Sequence, residues 1–312
     1  MKPRIAVLAA LFTVTAALSA GADPQLVNLA MPDAQVMAGV NVEQAKTTPF
    51  GQYVLSQVQP NDSHIQKLID LTGFDPRRDV RELLVASPGT GDHKTGLALA
   101  RGSFDITRIA AAATDNKATV EQYRGATLIT DPKGNGSFAF PDNTLVLAGP
   151  TAVVKAALDR RGNTSSSISA ALATKVNQLS TTQDAWFVSL VPPSTLKGNE
   201  PTPNVPGVTN QEAFQKVEQF SGGVKFGSNV VVNLEALAQT AQDAASLAGV
   251  VQFLVNLALS QSGGNPAAAT LAKSLTVSAQ GQSVKIGLSI PNDQFENLVK
   301  PKRVVRREPK KV

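Results

Sequence analysis

The chain of 312 residues is 42% hydrophobic and 17% charged, and it has no cysteine and two histidines. This composition is typical of a globular protein with a sizeable core, so intrinsic disorder and fibrous structure are excluded. Thiol catalysis, disulfides, iron–sulfur clusters and cysteine-ligated zinc are excluded because each needs cysteine. We expect no cofactor and no metal.

The net charge of +5 is unevenly distributed. Residues 300–312 have seven Lys or Arg and one Glu, whereas residues 23–299 have a net charge of −3. A folded domain that binds nucleic acid would have basic clusters with interleaved aromatic residues. The sequence lacks them, and we expect no nucleic-acid partner.

The N-terminus has the pattern of an export signal. Lys2 and Arg4 precede an apolar run over 5–18, and the Ala-Gly-Ala of 20–22 fits a signal-peptidase site before Asp23. We therefore expect a periplasmic or extracellular protein that is not integral to the membrane after cleavage. The alternative is a retained anchor, since the uncharged run approaches the length of about 20 residues that spans a bilayer.

Hydrophobic periodicity predicts alternating strands and helices in the first half. In chain order these are a strand at 35–42, helices at 49–58 and 64–71, strands at 82–87 and 95–101, a helix at 105–114, strands at 119–123, 126–130, 137–140 and 145–148, and a helix at 152–160. Gly125 and the Gly-Asn-Gly of 134–136 separate strands in the way that is typical of antiparallel hairpins.

The second half begins like the first, with Asp184-Ala185 before a strand where the first half has Asp33-Ala34. In chain order it predicts a strand at 186–191, a helix at 211–219, strands at 223–226 and 230–234, a helix at 237–260, strands at 275–279 and 284–290, and a helix at 292–299. The common order of elements predicts an internal repeat.

These elements predict an α+β fold of two similar lobes of antiparallel sheet, with helices packed on one face. The predicted parts are a signal peptide (1–22), a first lobe (23–161), a linker with a connecting helix (162–183), a second lobe (184–299) and a disordered basic tail (300–312).

Four segments of the first half suggest a relationship to known sequences. They are LTGFDPRRDVRE at 71–82, ARGSFD at 100–105, QYRG at 122–125 and LAGPTAVVKAALDRR at 147–161. Together they resemble a family of uncharacterised secreted bacterial proteins, of the domain-of-unknown-function kind, with a GFDPRRDV…ARGSFD segment. The resemblance implies a two-lobed α+β architecture and export, and it implies no activity, catalytic residue or cofactor.

No motif matches a catalytic constellation. Residues 89–95 lack the order of a phosphate-binding P-loop, and the K-T-G of 94–96 precedes the S-x-x-K of 194–197, the reverse of a penicillin-binding enzyme. His64 and His93 are typical of surface histidines rather than catalytic bases. We predict a protein that is not an enzyme, with a hydrolase that uses Asp and Glu as an open alternative.

The helical stretch 244–259 has no charged residue and is apolar on nearly all faces. Such a helix is usually buried in a core. The alternative is an apolar groove or a subunit interface, formed by Leu247, Val250, Val251 and Leu254.

Two charged segments are candidates for recognition. The cluster 75–79 is either an anion-recognition loop or, as we favour, a solvated turn with local ion pairs. The tail is either a solubilising terminus or a site for an anionic partner. Its basic residues are Lys300, Lys302, Arg303, Arg306, Arg307, Lys310 and Lys311.

The sequence as a whole predicts a secreted envelope protein that binds or scaffolds a partner without catalysis. The partner would be an envelope protein or an anionic surface contacted by the basic tail. A carrier of an apolar, lipid-like ligand, held between the sheet and the long helix, is the first alternative. The Asp/Glu-dependent hydrolase is the second.

Overall fold

The computed structural model describes residues 21–57, 63–90, 95–163, 167–196, 212–261 and 272–299. The strands of these residues are β1 (Val36–Asn41), β2 (Val80–Ser87), β3 (Leu97–Gly102), β4 (Thr119–Tyr123), β5 (Ala126–Thr130), β6 (Gly136–Asp142), β7 (Leu145–Pro150), β8 (Ala185–Ser189), β9 (Val217–Lys225), β10 (Asn229–Ala238), β11 (Leu275–Gln280) and β12 (Ser283–Pro291). The helices are α1 (Pro24–Leu29), α2 (Val42–Lys46), α3 (Pro49–Gln57), α4 (Ser63–Thr72), α5 (Pro76–Asp79), α6 (Ile106–Asp115), α7 (Thr151–Arg160), α8 (Ala170–Ser180), α9 (Pro193–Leu196), α10 (Glu212–Gln215), α11 (Ala241–Gln261) and α12 (Asn292–Val299).

The strands of the described residues form one antiparallel sheet in the order β11-β12-β10-β9-β8-β1-β2-β3-β7-β6-β5-β4. The predicted α+β class, with antiparallel sheet and packed helices, is confirmed. The two halves meet where β1 pairs with β8, with Ala38 opposite Phe187. They therefore share one continuous sheet.

The two halves place their strands in corresponding orders. From the junction outwards, the first half runs β1-β2-β3-β7-β6 and the second runs β8-β9-β10-β12-β11. The first half then continues with the hairpin β5–β4, for which the described residues of the second half have no counterpart. This order supports the internal repeat, which stays a prediction.

Helices pack on both faces of the sheet rather than on the one face predicted. On the face that bears Trp186 (the Trp186 face), α1, α7 and α8 bury Leu26, Val154 and Leu172 against strand residues such as Leu147. On the opposite face, α6 packs at one end of the sheet and α11 at the other. Two layers of helices are needed because many strands are apolar on both faces.

Several boundaries in the second half differ from the prediction, and two of them change the assignment of helix and strand. The helix expected over 211–219 is only the short α10, and strand β9 begins at Val217. The long helix begins at Ala241 rather than at 237, because Thr240 accepts a hydrogen bond from the backbone N–H of Asp243 and donates one to its carboxylate. This reciprocal capping fixes the start of α11.

The chain enters the fold directly after the predicted cleavage site. The side chain of Asp23 caps α1 by accepting a hydrogen bond from the N–H of Gln25, and Leu26 and Leu29 are buried in the core. Residues 1–20 of the predicted signal peptide and the tail 300–312 lie outside the described residues. None of the helices that the structure describes is both long enough and apolar enough to cross a membrane.

Candidate functional site

A row of apolar residues crosses the whole described sheet on the face opposite to Trp186, which we call the Phe187 face. Each member lies directly opposite the next in the strand register. From β11 to β4 the row is Val277, Ile286, Leu234, Gly222, Phe187, Ala38, Val85, Ala98, Ala148, Phe138, Ile129 and Val120. This apolar row contains no polar side chain on any strand.

Helices cover the two ends of the apolar row. At one end, Val277 and Ile286 pack in a cluster with Leu247 of α11. At the other end, Ile129 and Val120 pack in a cluster with residues of α6. These ends belong to the core, and the burial of their side chains accounts for their apolar character.

The middle of the apolar row is open to solvent. We define the central stretch as Phe187, Ala38, Val85, Ala98, Ala148 and Phe138, which lie on β8, β1, β2, β3, β7 and β6. Val85 is 48% exposed and Phe138 is 54% exposed, and Ala98 is also exposed. Leu83, two residues before Val85 on the same face, is 42% exposed. Phe187, Ala38 and Ala148 are half-buried. An exposed apolar patch of this kind is a candidate contact site for a ligand or partner.

In the strands of the central stretch, apolar and polar residues do not alternate as they normally do in an antiparallel sheet with one solvated face. In β2, Leu84 and Ala86 are buried on the Trp186 face, and Leu83 and Val85 face solvent on the other side. In β3, Leu97 and Leu99 are buried on the Trp186 face and Ala98 is exposed on the other, whereas Ala100 is buried in a cluster with Phe104. These unbroken apolar runs are the sequence signal of the site, although their pattern alone predicts only strands.

Small side chains lie next to larger ones in the central stretch. Ala98 and Ala148 lie opposite each other on β3 and β7, with Val85 on one side and Phe138 on the other. Ala38 similarly lies between Phe187 and Val85. A narrow aliphatic chain laid along the row would contact both the small residues and the larger side chains.

The residues of the long helix that the sequence suggested as an apolar groove are not part of the central stretch. Leu247 is 3% exposed, and Val250 and Val251 pack with it on β10 and β12. Leu254 is half-buried, whereas the side of α11 that includes Gln252 is exposed. The helix is therefore one-sided in its burial: Leu247 and Val251 lie in the core of the second half, whereas Phe253 on the open side is 53% exposed.

The charged cluster at 75–79 is held together by its own ion pairs. The guanidinium of Arg77 lies 2.8 Å from Asp75, and that of Arg78 lies 2.7 Å from Asp79. The hydrogen bond from Arg77 holds the pKa of the Asp75 carboxyl below its usual value, and the one from Arg78 does the same for Asp79. Both arginines are thus engaged within the cluster.

A polar groove of about 360 Å³ lies on the Trp186 face between α8 and the strands of the second half. Its floor includes Asn233 and Glu235 of β10 and Lys285 of β12. Lys175 of α8 donates to Glu235 at 2.7 Å, and this hydrogen bond lowers the pKa of the Glu235 carboxyl. The pair links α8 to the sheet.

The remaining candidates are not placed by the structure. His93 and the basic tail, with its seven Lys and Arg residues, lie outside the described residues, as does the side chain of His64 in α4. Among the residues that the structure describes, no group of three or more His, Asp or Glu side chains could hold a metal ion.

Comparison with known proteins indicates the fold alone. No protein-family model matches the chain, and no curated protein matches it at a significant level. The chain is similar to crystal form III of TP0453, with a TM-score of 0.54 and 9% identity over 88% of this chain and 96% of that one. It is also similar to crystal form I, with a TM-score of 0.51 and 10% identity over 89% and 96% of the two chains. This similarity supports the α+β architecture.

Proposed function

We propose that the protein is a non-enzymatic binding protein, exported to the bacterial envelope, and that the central stretch is its binding surface. The exposure of Val85 and Phe138 within an otherwise unbroken apolar row carries this proposal. Exposing such a surface to water is unfavourable, so a bound apolar group would stabilise the protein. The export signal expected at 1–22 supports the envelope location.

The shape of the central stretch favours a carrier of a lipid-like ligand over a scaffold for another protein. Along a line perpendicular to the strands, the small residues Ala38, Ala98 and Ala148 lie among the larger Phe187, Val85 and Phe138. Six strands spaced about 4.8 Å apart make this line about 24 Å long, which is comparable with an extended acyl chain. An acyl chain needs a narrow apolar track and no hydrogen-bond partners along its length.

The basic tail is a separate part of the proposal and is based on the sequence. Its seven Lys and Arg residues over 300–312 would hold the carrier near an anionic surface. The attraction would weaken as salt is added, because salt screens exposed charges. Binding of the chain to vesicles with anionic lipids, with and without residues 300–312, measures this contribution.

Native mass spectrometry of residues 23–312, purified without detergent, tests the main proposal. We expect a co-purified small molecule or, after its removal, uptake of the uncharged apolar dye N-phenylnaphthylamine. Val85→Asp puts a charge into the central stretch, and we expect it to weaken dye binding at least about tenfold. Because Val85 is exposed, the fold tolerates this change.

Asn233→Asp is the matched control. It adds the same charge at an exposed position on the Trp186 face, and we expect dye binding to remain as in the unmodified chain. Absence of both ligand and dye binding would contradict the carrier. Equal losses in the two variants would show that net charge, rather than the central stretch, controls binding.

A further inference from the structure

The two edges of the described sheet differ in how well they are protected against pairing with a further strand. At one edge, β4 has Glu121 in its middle, paired with Lys155 at 2.9 Å, and Arg124 follows the strand. At the other edge, β11 has the sequence Leu-Thr-Val-Ser-Ala-Gln, with no charge and no proline. Charged side chains on edge strands oppose pairing with a further strand. β11 lacks this protection.

The register of the β11–β12 hairpin determines which backbone groups of β11 point away from the sheet. β11 and β12 are joined by the two residues Gly281 and Gln282, so Gln280 and Ser283 close the turn with mutual hydrogen bonds. Hydrogen bonds alternate along an antiparallel pair. The N–H and C=O groups of Leu275, Val277 and Ala279 therefore point away from β12. Among the described residues, no strand pairs with β11 on that side.

The first half shows what occupies the corresponding place. In the order of strands from the junction, β11 corresponds to β6, and β6 pairs on its outer side with β5 in antiparallel orientation. Phe138 and Ile129 of this pair are both members of the apolar row. A strand that added to β11 would thus continue the row if it placed an apolar residue opposite Val277.

We propose that β11 pairs with β11 of a second copy of this chain, around a twofold axis at Val277. In this register Val277 lies opposite its own copy, Leu275 lies opposite Ala279, and Thr276 lies opposite Ser278. Apolar residues face apolar residues on the Phe187 face, and hydroxyl residues face each other on the other side. Val277, Leu275 and Ala279 then exchange backbone hydrogen bonds with the second copy.

The molar mass in solution, measured by light scattering over a concentration series, tests this pairing. We expect the unmodified chain to form a dimer and the double variant T276K/S278K to be a monomer, because lysines then face lysines across the axis. Both side chains are exposed on the sheet, so the fold is retained, which circular dichroism checks. T276E/S278E is expected to be a monomer too, and an equal mixture of the two variants to regain the dimer. Gln122→Lys on β4 is the control and leaves the dimer intact.

Single cysteines test the register, since the chain has no cysteine of its own. Two residues in a hydrogen-bonded antiparallel pair have Cα atoms about 5.5 Å apart, which suits a disulfide. Val277→Cys is therefore expected to form a covalent dimer on oxidation. Ala279→Cys is not, because the two copies of residue 279 would lie about 14 Å apart along the strands. A monomer at every concentration, a dimer that resists T276K/S278K, or efficient cross-linking only at 279 would overturn the proposal.

Discussion

The backbone N–H of Asp23 donates a hydrogen bond of 3.1 Å to the carboxylate of Glu82, which lies 59 residues later in the chain. The Asp23 carboxylate in turn accepts from the guanidinium of Arg101 at 2.5 Å. Asp23 is the residue at which export processing is expected to leave a new N-terminus. In a chain that begins there, the donor to Glu82 is a charged ammonium rather than a peptide N–H.

We predict that the effect of Glu82 on the free energy of unfolding has opposite signs in a chain that begins at Asp23 and in one that extends before it. In a chain that extends before Asp23, burial raises the pKa of the Glu82 carboxyl. The folded state then favours the protonated form, so the free energy of unfolding falls as pH rises from the usual pKa of Glu through the raised value. Glu82→Gln removes this fall. In a chain that begins at Asp23, the ammonium stabilises the carboxylate, and Glu82→Gln costs about 1–2 kcal/mol at pH 7.

Urea unfolding of both chain forms, each with and without Glu82→Gln, measures the effect between pH 4 and pH 8. The extended chain is the internal control, because only the charge of the Asp23 nitrogen differs at this contact. The same pH dependence in both forms would show that the ammonium does not pair with Glu82.

A second prediction compares two phenylalanines on one strand and one face. Phe138 is 54% exposed in the central stretch, whereas Phe140 is 5% exposed and its ring lies 5.7 Å from that of Phe104. Phe140→Ala is expected to lower the free energy of unfolding by about 3–5 kcal/mol. Phe138→Ala is expected to cost less than about 1 kcal/mol but to weaken binding of the apolar dye. A large loss of stability from Phe138→Ala would mean that this residue belongs to the core.

Local patterns predicted most of the strands because antiparallel hairpins are set by nearby residues. Strands β4 and β5 have the predicted bounds around Gly125, whose φ of +75° suits the turn. The start of β9 was missed because residues 217–219 fall in the helix predicted over 211–219, and the predicted strand begins only at Gly223. A Cβ atom at Gly222 would lie 2.5 Å from the carbonyl oxygen of Asn233, so the neighbouring strand requires glycine there.

The candidate site could not be predicted from local patterns. The pairing of β1 with β8 joins residues far apart in the chain, and it alone places Ala38 opposite Phe187. Periodicity also cannot tell which apolar strand face a helix covers, since Val85 and the buried Leu84 are equally apolar. The long helix was identified, but its one-sided burial depends on the strands beneath it.

A third prediction concerns the contact between Gly39 and Trp186. A Cβ atom at Gly39 would lie 2.5 Å from the buried indole ring, on the directly paired strand. Gly39→Ala is therefore expected to cost about 1–3 kcal/mol and to shift the fluorescence of the single tryptophan. Gly96→Ala is the control, because its Cβ would meet only a carbonyl oxygen at 3.7 Å. Equal effects of the two changes would indicate that chain flexibility, rather than crowding of Trp186, sets the cost.

The last prediction compares the two aspartates that precede the first strand of each half. Asp184 is 1% exposed, and its carboxylate accepts from the N–H of Phe226 at 2.7 Å and from Lys225 at 2.5 Å. These bonds connect the start of β8 to the end of β9. Asp33, at the matching place in the sequence, is exposed.

Asp184→Ala leaves the N–H of Phe226 without its acceptor, whereas Lys225 can still reach water. We expect a loss of about 1–3 kcal/mol in the free energy of unfolding. Asp33→Ala is expected to change stability by less than about 0.5 kcal/mol. Urea unfolding of the two variants measures the difference. Similar losses would mean that both aspartates cap their strands in the same way, and a neutral Asp184→Ala would mean that the junction of β8 and β9 does not depend on this carboxylate.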